Sequence, residues 1–210
     1  MVLSWFKKGG KKDAEVTPLE HPSGLKKGDV IEFGITPLSA LTRMSAVVTA
    51  VDTVDYGEGP EEALTIDAAG QAIGLYIEND EGTEVIVASI KLKREQVLSI
   101  FDGDAFGAVF EEGSGTTLSV KQIPQELAEW IDPGAYTEIA DSLPSTFQSG
   151  DHRRNENTGR TLTFDYYELE GANSDFAIEI EVYDGGETEV YASRSMPLHV
   201  IDALWPSAGS

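Results

Sequence analysis

Short runs in which apolar and polar residues alternate, separated by turn sequences, are the feature that most restricts the fold of this chain. Residues 175–183 show the pattern clearly, because every second side chain from Phe176 onward is apolar and two of the intervening ones are glutamates. This period of two predicts a strand with one apolar face. A turn sequence, Asp-Gly-Gly-Glu at 184–187, follows, and residues 188–193 supply a returning strand. The pattern predicts an antiparallel hairpin.

The first half of the chain has a similar order of elements. Residues 73–87 predict another hairpin around the turn Asn-Asp-Glu-Gly at 79–82, and residues 93–101 place apolar side chains at helical spacing. Residues 197–205 predict the corresponding short helix in the second half. The two halves align at an offset of 105 residues, where Ile73, Leu75 and Ile77 match Ile178, Ile180 and Val182.

These elements predict a mainly β (β-rich α+β) fold of two related antiparallel β modules, each ending in a short helix, as an internal duplication would produce. We assign residues 1–24 to a basic, aromatic head, residues 25–112 to the first module and residues 113–210 to the second; the modules can also pack as one compact unit. Between the hairpins, residues 125–131 predict a helix and residues 144–159 a polar loop.

The charge of the chain is unevenly distributed. Its 210 residues include 15 Lys and Arg against 37 Asp and Glu, a net charge of −22. Residues 1–27 hold six of the bases and only three of the acids. An acidic body lacks the basic face that a nucleic acid requires, so nucleic acid is excluded as a partner.

Two further properties of the sequence exclude classes of protein. The chain has no cysteine, which excludes disulfides, thiolate catalysis and cysteine-ligated metal sites. It has no apolar run of the roughly 18 residues that span a bilayer, and its first residues do not resemble a signal peptide. We therefore expect a cytoplasmic protein.

The head combines aromatic residues with lysines. Trp5 and Phe6 are followed by Lys7 and Lys8, an order that suits an interface with anionic lipid. Contact of this kind would place the protein at the periphery of the inner membrane. The alternatives are that the two aromatic side chains pack on the domain or that the segment has no fixed structure.

The last predicted hairpin carries acidic and tyrosine side chains on the face opposite its apolar one. We expect this outer face either to recognise a basic partner or to keep the hairpin soluble and unaggregated. The interaction candidates on it are Glu179, Glu181, Tyr183, Glu187, Glu189 and Tyr191.

Two groups of carboxylates are candidate sites for a hard cation such as calcium. The first consists of Asp102, Asp104, Glu111 and Glu112, and the second of Asp55, Glu58, Glu61 and Glu62. Neither matches the twelve-residue loop of an EF-hand, and acidic clusters are also expected on any solvated surface of so acidic a chain. No other cofactor is predicted.

The remaining polar motifs give no catalytic constellation. The three histidines are too far apart in sequence for a zinc helix. The sequence His-Arg-Arg at 152–154 is the densest cationic segment of the body. It would either grip an anionic group or offset part of the surrounding acid.

Three segments together resemble the YjfK-like family of bacterial proteins, a domain of unknown function. They are residues 183–191 (Tyr-Asp-Gly-Gly-Glu-Thr-Glu-Val-Tyr), residues 204–206 (Leu-Trp-Pro) and residues 4–8 (Ser-Trp-Phe-Lys-Lys). The resemblance implies a soluble protein whose gene lies near those of membrane-stress proteins similar to phage-shock protein A. It brings no catalytic residues with it.

The sequence thus favours a non-enzymatic module or adaptor that binds another protein, with a membrane-stress protein as the expected partner. Two alternatives stay open. One is a metal-assisted hydrolase that uses the acidic clusters, and the other is an acidic DNA mimic that inhibits nucleic-acid-binding proteins.

Overall fold

The structure is a computed structural model that describes residues 17–80, 82–111, 113, 115–154, 159 and 161–207. Over these residues the chain is mainly β, as the sequence predicts. The strands are β1 (Val30–Phe33), β2 (Ser45–Asp55), β3 (Pro60–Ala68), β4 (Gln71–Asp80), β5 (Thr83–Leu92), β6 (Thr117–Ser119), β7 (Ala135–Gln148), β8 (Thr161–Gly171), β9 (Phe176–Tyr183), β10 (Thr188–Pro197) and β11 (Ile201–Trp205). The two α-helices are α1 (Arg94–Ile100) and α2 (Gly103–Gly107).

All eleven strands form one antiparallel sheet in the order β11-β1-β2-β3-β4-β5-β10-β9-β8-β7-β6. The end of β2 also pairs with β7, through Thr53 with Gln148, Val54 with Phe147 and Asp55 with Thr146. Strands β2 to β5 and β7 to β10 therefore form a closed ring of eight, because each of them is hydrogen-bonded to two others in the ring. β1, β11 and β6 extend the sheet outside the ring.

The main hydrophobic core lies on one face of this sheet. Ile73, Leu75, Ile178 and Ile180 are almost completely buried on that face, and α1 adds Val97 and Ile100 to the same cluster. The alternation of β-branched and polar side chains produces this arrangement, because a strand exposes successive residues to opposite faces.

The two hairpins predicted from alternation are confirmed as β4–β5 and β9–β10, and the helix predicted over residues 93–101 is α1. The helix predicted over residues 197–205 is wrong. Leu198–Val200 form one 3-10 turn and Ile201–Trp205 form β11, which pairs with β1. The apolar spacing fits either structure, and the free edge of β1 supplies hydrogen-bond partners that favour the strand.

Two other local predictions also need correction. The helix predicted over residues 125–131 is reduced to the 3-10 turn Gln125–Leu127, in a segment bounded by Pro124 and Pro133. The polar loop predicted over residues 144–159 begins later than expected, because β7 continues to Gln148 and pairs with both β8 and β2.

The two halves of the ring have the same order of strands. β2 to β5 form one antiparallel meander and β7 to β10 form another, and the two meet where β5 pairs with β10 and where β2 pairs with β7. The strands nevertheless belong to one large sheet, and the division into two related modules and the internal duplication stay predictions from sequence. The second half ends in a 3-10 turn and a strand instead of a helix.

Candidate functional site

A cavity of about 630 Å³ is lined by side chains from all eight strands of the ring. We call it the main cavity. Most of its lining comes from the sheet face opposite the main hydrophobic core, although Leu64 and Leu75 of that core also contribute. A hydrogen bond of 2.9 Å from the hydroxyl of Tyr76 on β4 to Oε1 of Glu179 on β9 joins strands that are not neighbours in the sheet. This face is therefore turned toward the inside of the ring.

The described residues that line the main cavity include six carboxylates and no Lys, Arg or His. The carboxylates are Asp52, Glu179, Glu181, Asp184, Glu187 and Glu189. Five aromatic residues complete much of the wall, namely Tyr56, Tyr76, Phe147, Tyr183 and Tyr191. A lining of this kind produces a negative potential that attracts cations, because low-dielectric walls concentrate the field of the carboxylates.

All six interaction candidates of the last hairpin lie in this lining. The prediction that they form an outer, solvated face is wrong, most clearly for Glu179, which is only 6 % exposed. Closure of the ring turns the polar face of β9 and β10 inward. Glu187 in the connecting turn is exposed at the mouth of the cavity.

Glu179 has an unusual environment for a carboxylate. Burial raises its pKa to about 7, and the charge of Glu168 acts in the same direction, while hydrogen bonds from Ser193 and Tyr76 act against it. Within the part of the chain that the structure describes, no Lys, Arg or His forms an ion pair with Glu179. A buried carboxylate without a cationic partner is costly to ionise, so it retains a proton up to near-neutral pH.

Two other glutamates of the hairpin, Glu181 and Glu189, each accept a hydrogen bond from a tyrosine two residues further along the strand. Tyr183 donates to Glu181 and Tyr191 donates to Glu189, both over 2.5 Å. Burial raises the pKa of Glu181. Burial alone would also raise the pKa of Glu189, but hydrogen bonds from Lys91 and Tyr191 lower it. The pKa values of Glu181 and Glu189 are thus shifted in opposite directions, although the two carboxylates are neighbours on the cavity wall.

An aromatic cluster lies beside the main cavity. The ring of Tyr56 lies 4.5 Å from that of Tyr166 and 6.3 Å from that of Phe164, which in turn lies 5.4 Å from Tyr183. Val54 packs with Phe164 and Tyr166 in a small hydrophobic cluster separate from the main core. Contacts between these rings pack the cavity wall, and Tyr56 and Tyr183 belong to its lining.

A second cavity, of about 320 Å³, is lined by side chains of β4, β5, β8, β9 and β10. Tyr76 lines both cavities. The second cavity also lacks Lys, Arg and His among the described residues of its lining, and it contains the carboxylates Glu78, Glu168, Glu170 and Asp175. The inside of the ring is therefore acidic on both sides of Tyr76.

The candidate metal ligands have local structural roles. Asp102 accepts hydrogen bonds from the backbone N–H groups of Asp104 and Ala105, so it caps α2. Asp55 accepts from the N–H groups of Gly57 and Gly59. Glu112 lies outside the described residues. Across the residues that are described, no group of three or more His, Asp or Glu side chains is placed to hold a metal ion.

The cationic segment at 152–154 binds other parts of the same chain. Arg153 donates through Nε and Nη2 to both carboxylate oxygens of Asp151, which is 2 % exposed. Its Nη1 and Nη2 also donate to the backbone carbonyls of Ser23 and Leu25, and Nε lies 3.2 Å from Glu62. Arg153 therefore connects the segment that precedes β1 with strand β3 and with the loop that follows β7.

The head candidates Trp5, Phe6, Lys7 and Lys8 lie outside the described residues. No helix in the described part of the chain is long and apolar enough to cross a membrane.

Sequence reasoning identified the hairpin residues but missed other members of the two cavities, among them Asp52, Tyr56, Tyr76 and Glu168. Tyr76 lies between the buried Leu75 and the partly buried Ile77 of β4, so alternation does place it on the polar face. The sequence of β4 alone does not show that this face contacts Glu179 on β9 inside the ring.

Comparisons of the chain with protein-family models, with curated proteins and with solved structures gave no match.

Proposed function

We propose that the protein is a non-enzymatic binding module and that its main cavity receives a positively charged side chain of a partner protein. The observation that supports this proposal is the composition of the lining: six carboxylates, five aromatic rings and no basic residue among those described. The volume of about 630 Å³ falls within the range of 300 to 1,000 Å³ typical of ligand sites.

A Lys or Arg side chain suits this cavity in two ways. Its charge compensates carboxylates that the described part of the chain leaves without a cation, and ion pairs of this kind are strongest where water is partly excluded. Its aliphatic stem packs against aromatic rings, and its charged end interacts with their π faces. Tyr56, Tyr76 and Tyr191 lie in the same lining as Glu179 and Glu181.

The resemblance to the YjfK-like family adds a proposal about the partner, namely a protein of the bacterial membrane-stress response. Under this proposal the protein acts in the cytoplasm, and contact of the basic head with anionic lipid brings it to the inner membrane.

The two alternative functions receive less support. A metal-assisted hydrolase needs a group of ligands, whereas the described residues contain no candidate group. A DNA mimic needs carboxylates spaced along a convex surface, whereas the acidic side chains of β9 and β10 line a cavity.

Isothermal titration calorimetry tests the proposal with two synthetic peptides. The first is a capped pentapeptide with one lysine between glycines, and the second replaces that lysine by norleucine. We expect the lysine peptide to bind at least tenfold more tightly, because only the ammonium group compensates the cavity carboxylates.

Matched variants locate the site. The double substitution Glu181→Gln with Glu187→Gln removes two carboxylates of the lining, whereas Glu95→Gln removes one exposed carboxylate on α1. We expect the first to weaken binding of the lysine peptide at least tenfold and the second to leave it unchanged. Equal binding of the two peptides, or equal effects of the two variants, would contradict the proposal.

A further inference from the structure

The wall between the two cavities contains two carboxylates on neighbouring strands. Glu179 on β9 and Glu168 on β8 are direct partners in the antiparallel register, so their Cβ atoms are neighbours on the same face. Glu179 lines the main cavity and Glu168 lines the second. Two like charges in direct opposition destabilise a sheet unless a cation or a proton compensates one of them.

Other groups on β4, β8, β9 and β10, and Tyr56 after β2, act on this pair. Tyr166 donates a hydrogen bond of 3.1 Å to Glu168, as Tyr76 does to Glu179 over 2.9 Å. The titratable or hydroxyl groups that act on the pair are Glu181 on β9, Glu170 and Tyr166 on β8, Glu78 and Tyr76 on β4, Ser193 on β10, and Tyr56 after β2. None of these groups is a cation.

The ion pairs of the described residues engage other carboxylates. His21 pairs with Glu84, Lys91 with Glu189, Lys121 with Asp102, and the cations at 152–154 with Asp151 and Glu62. Glu168 and Glu179 take part in none of them. The positive charge that would compensate this pair, when both members ionise, must therefore come from outside the described part of the chain.

We propose, on the basis of the function proposed above, that the ligand's ammonium group binds between Glu179 and Glu168 and displaces a proton that these carboxylates hold when the site is empty. The proton leaves to solvent, both carboxylates are then ionised, and the ammonium group takes the place of the proton. Tyr76 and Tyr166 keep donating to the carboxylates and position them toward the ligand.

The direction in which ligand binding depends on pH follows from the raised pKa of Glu179. Burial raises the pKa of Glu179 to about 7 and also raises that of Glu168. An alkylammonium ion keeps its own proton until roughly pH 10. Below pH 7 binding must therefore remove a proton from the protein, whereas well above pH 7 it need not.

Calorimetry with n-butylamine hydrochloride measures this exchange, because titrations in buffers of different ionisation enthalpy give the number of protons released per ligand. We expect close to one proton at pH 6 and close to none at pH 9. We also expect binding about tenfold weaker at pH 6 than at pH 9, since a group with a pKa near 7 is mostly protonated at the lower value.

Three variants identify the carboxylates that hold the released proton. Glu179→Gln and Glu168→Gln should each abolish most of the proton release at pH 6, whereas Glu95→Gln, an exposed change on α1, should keep it. Unfolding midpoints of all three variants show that each is folded. Tyr76→Phe retains both carboxylates and provides an additional test. It should raise the pH at which half of the proton release remains, because the hydrogen bond from Tyr76 lowers the pKa of Glu179.

The outcomes separate the inference from the function on which it rests. Binding of n-butylamine without proton release at pH 6, or with release that survives Glu179→Gln, overturns the inference and leaves the cation site standing. Absence of binding by both n-butylamine and the lysine peptide overturns the proposed function and the inference together.

Discussion

The hydroxyl of Tyr76 donates a hydrogen bond of 2.9 Å to Glu179 across the inside of the closed sheet, although the two residues lie 103 positions apart in the chain. Tyr76 belongs to the first four-stranded meander and Glu179 to the second. β5 and β10 separate their strands in the sheet. The bond therefore connects the two halves of the ring through its interior, at the boundary between the two cavities.

Replacement of Tyr76 by Phe should destabilise the protein at pH 8, where Glu179 is mostly ionised. A hydrogen bond to a charged group contributes about 1.5 to 3 kcal/mol, and the phenylalanine ring preserves the packing. Urea denaturation measures the free energy of unfolding. Tyr191→Phe is the matched control, because its hydroxyl donates to the less buried Glu189. A larger loss in the control than in Tyr76→Phe would contradict the assignment.

Replacement of Glu179 by Gln should change how stability depends on pH. The folded-state pKa of Glu179 is raised from 4.5 to about 7, so the folded state binds more protons than the unfolded state between these values. The wild-type protein then loses up to about 3 kcal/mol from this group as the pH rises from 4.5 to above 7. The Glu179→Gln variant does not lose this free energy of unfolding, because glutamine does not titrate.

The measurement is a series of urea denaturation curves from pH 5 to pH 8. The free energy of unfolding of Glu179→Gln, relative to wild type, should increase with pH over this interval. Glu95→Gln, an exposed change on α1, should follow the wild-type curve. Parallel curves for wild type and Glu179→Gln would show that Glu179 does not retain a proton in the folded state.

Replacement of Arg153 by Gln should destabilise the protein by about 2 to 3 kcal/mol at pH 7, because it leaves the buried carboxylate of Asp151 without its bidentate partner. The guanidinium of Arg153 lowers the pKa of Asp151. This stabilisation is present above the unfolded pKa of 3.8 and is lost as the pH falls through the lower folded value.

Arg154→Gln is the control for this prediction. Arg154 makes one ion pair to Asp151 and is more exposed than Arg153, so its removal should cost less than about 1 kcal/mol. Thermal unfolding followed by circular dichroism compares the two variants. Equal shifts in melting temperature for the two variants would contradict the prediction that the contacts of Arg153 stabilise the protein more than those of Arg154.

Two glycines in strands should respond differently to alanine. A Cβ on Gly171 would lie 3.0 Å from the backbone oxygen of Asn173 and 3.1 Å from that of Phe176, so backbone must move, at a cost of about 1 to 3 kcal/mol. A Cβ on Gly74 would meet the hydroxyl oxygen of Ser89 at 2.5 Å, with its next contacts at 3.8 Å. Rotation of that hydroxyl relieves the contact, so Gly74→Ala should cost less than about 1 kcal/mol.

Chemical denaturation of the two alanine variants at one pH checks this difference. A loss of stability in Gly74→Ala equal to that in Gly171→Ala would indicate that the Ser89 side chain cannot move.

Much of the fold is predictable because it depends on local patterns. The period of two in β4, β5, β9 and β10 identifies both hairpins, and turn residues mark where they reverse. The pairing of β2 with β7 joins residues more than 90 positions apart, and no local pattern specifies such a contact. Ring closure, which follows from that pairing, was therefore not predictable.

The hairpin residues of the candidate site were predictable, but their surroundings and the residues from other strands were not. Alternation places Glu179 and Glu181 on the face opposite Ile178 and Ile180, as observed. A strand with one apolar and one polar face is normally solvated on the polar side. Here seven other strands enclose that side, so Glu179 is buried, and its raised pKa arises from tertiary structure alone.

The most direct test of the cation site follows the carboxyl carbon of Glu179 by ¹³C NMR through a pH titration, with and without n-butylamine. Glu179→Gln assigns the resonance. Without the amine, we predict a titration midpoint near pH 7, and with saturating amine a midpoint shifted to lower pH, because the bound ammonium group favours the ionised carboxylate. A midpoint that is unchanged by the amine, or one near the ordinary value of 4.5 in its absence, would contradict the account.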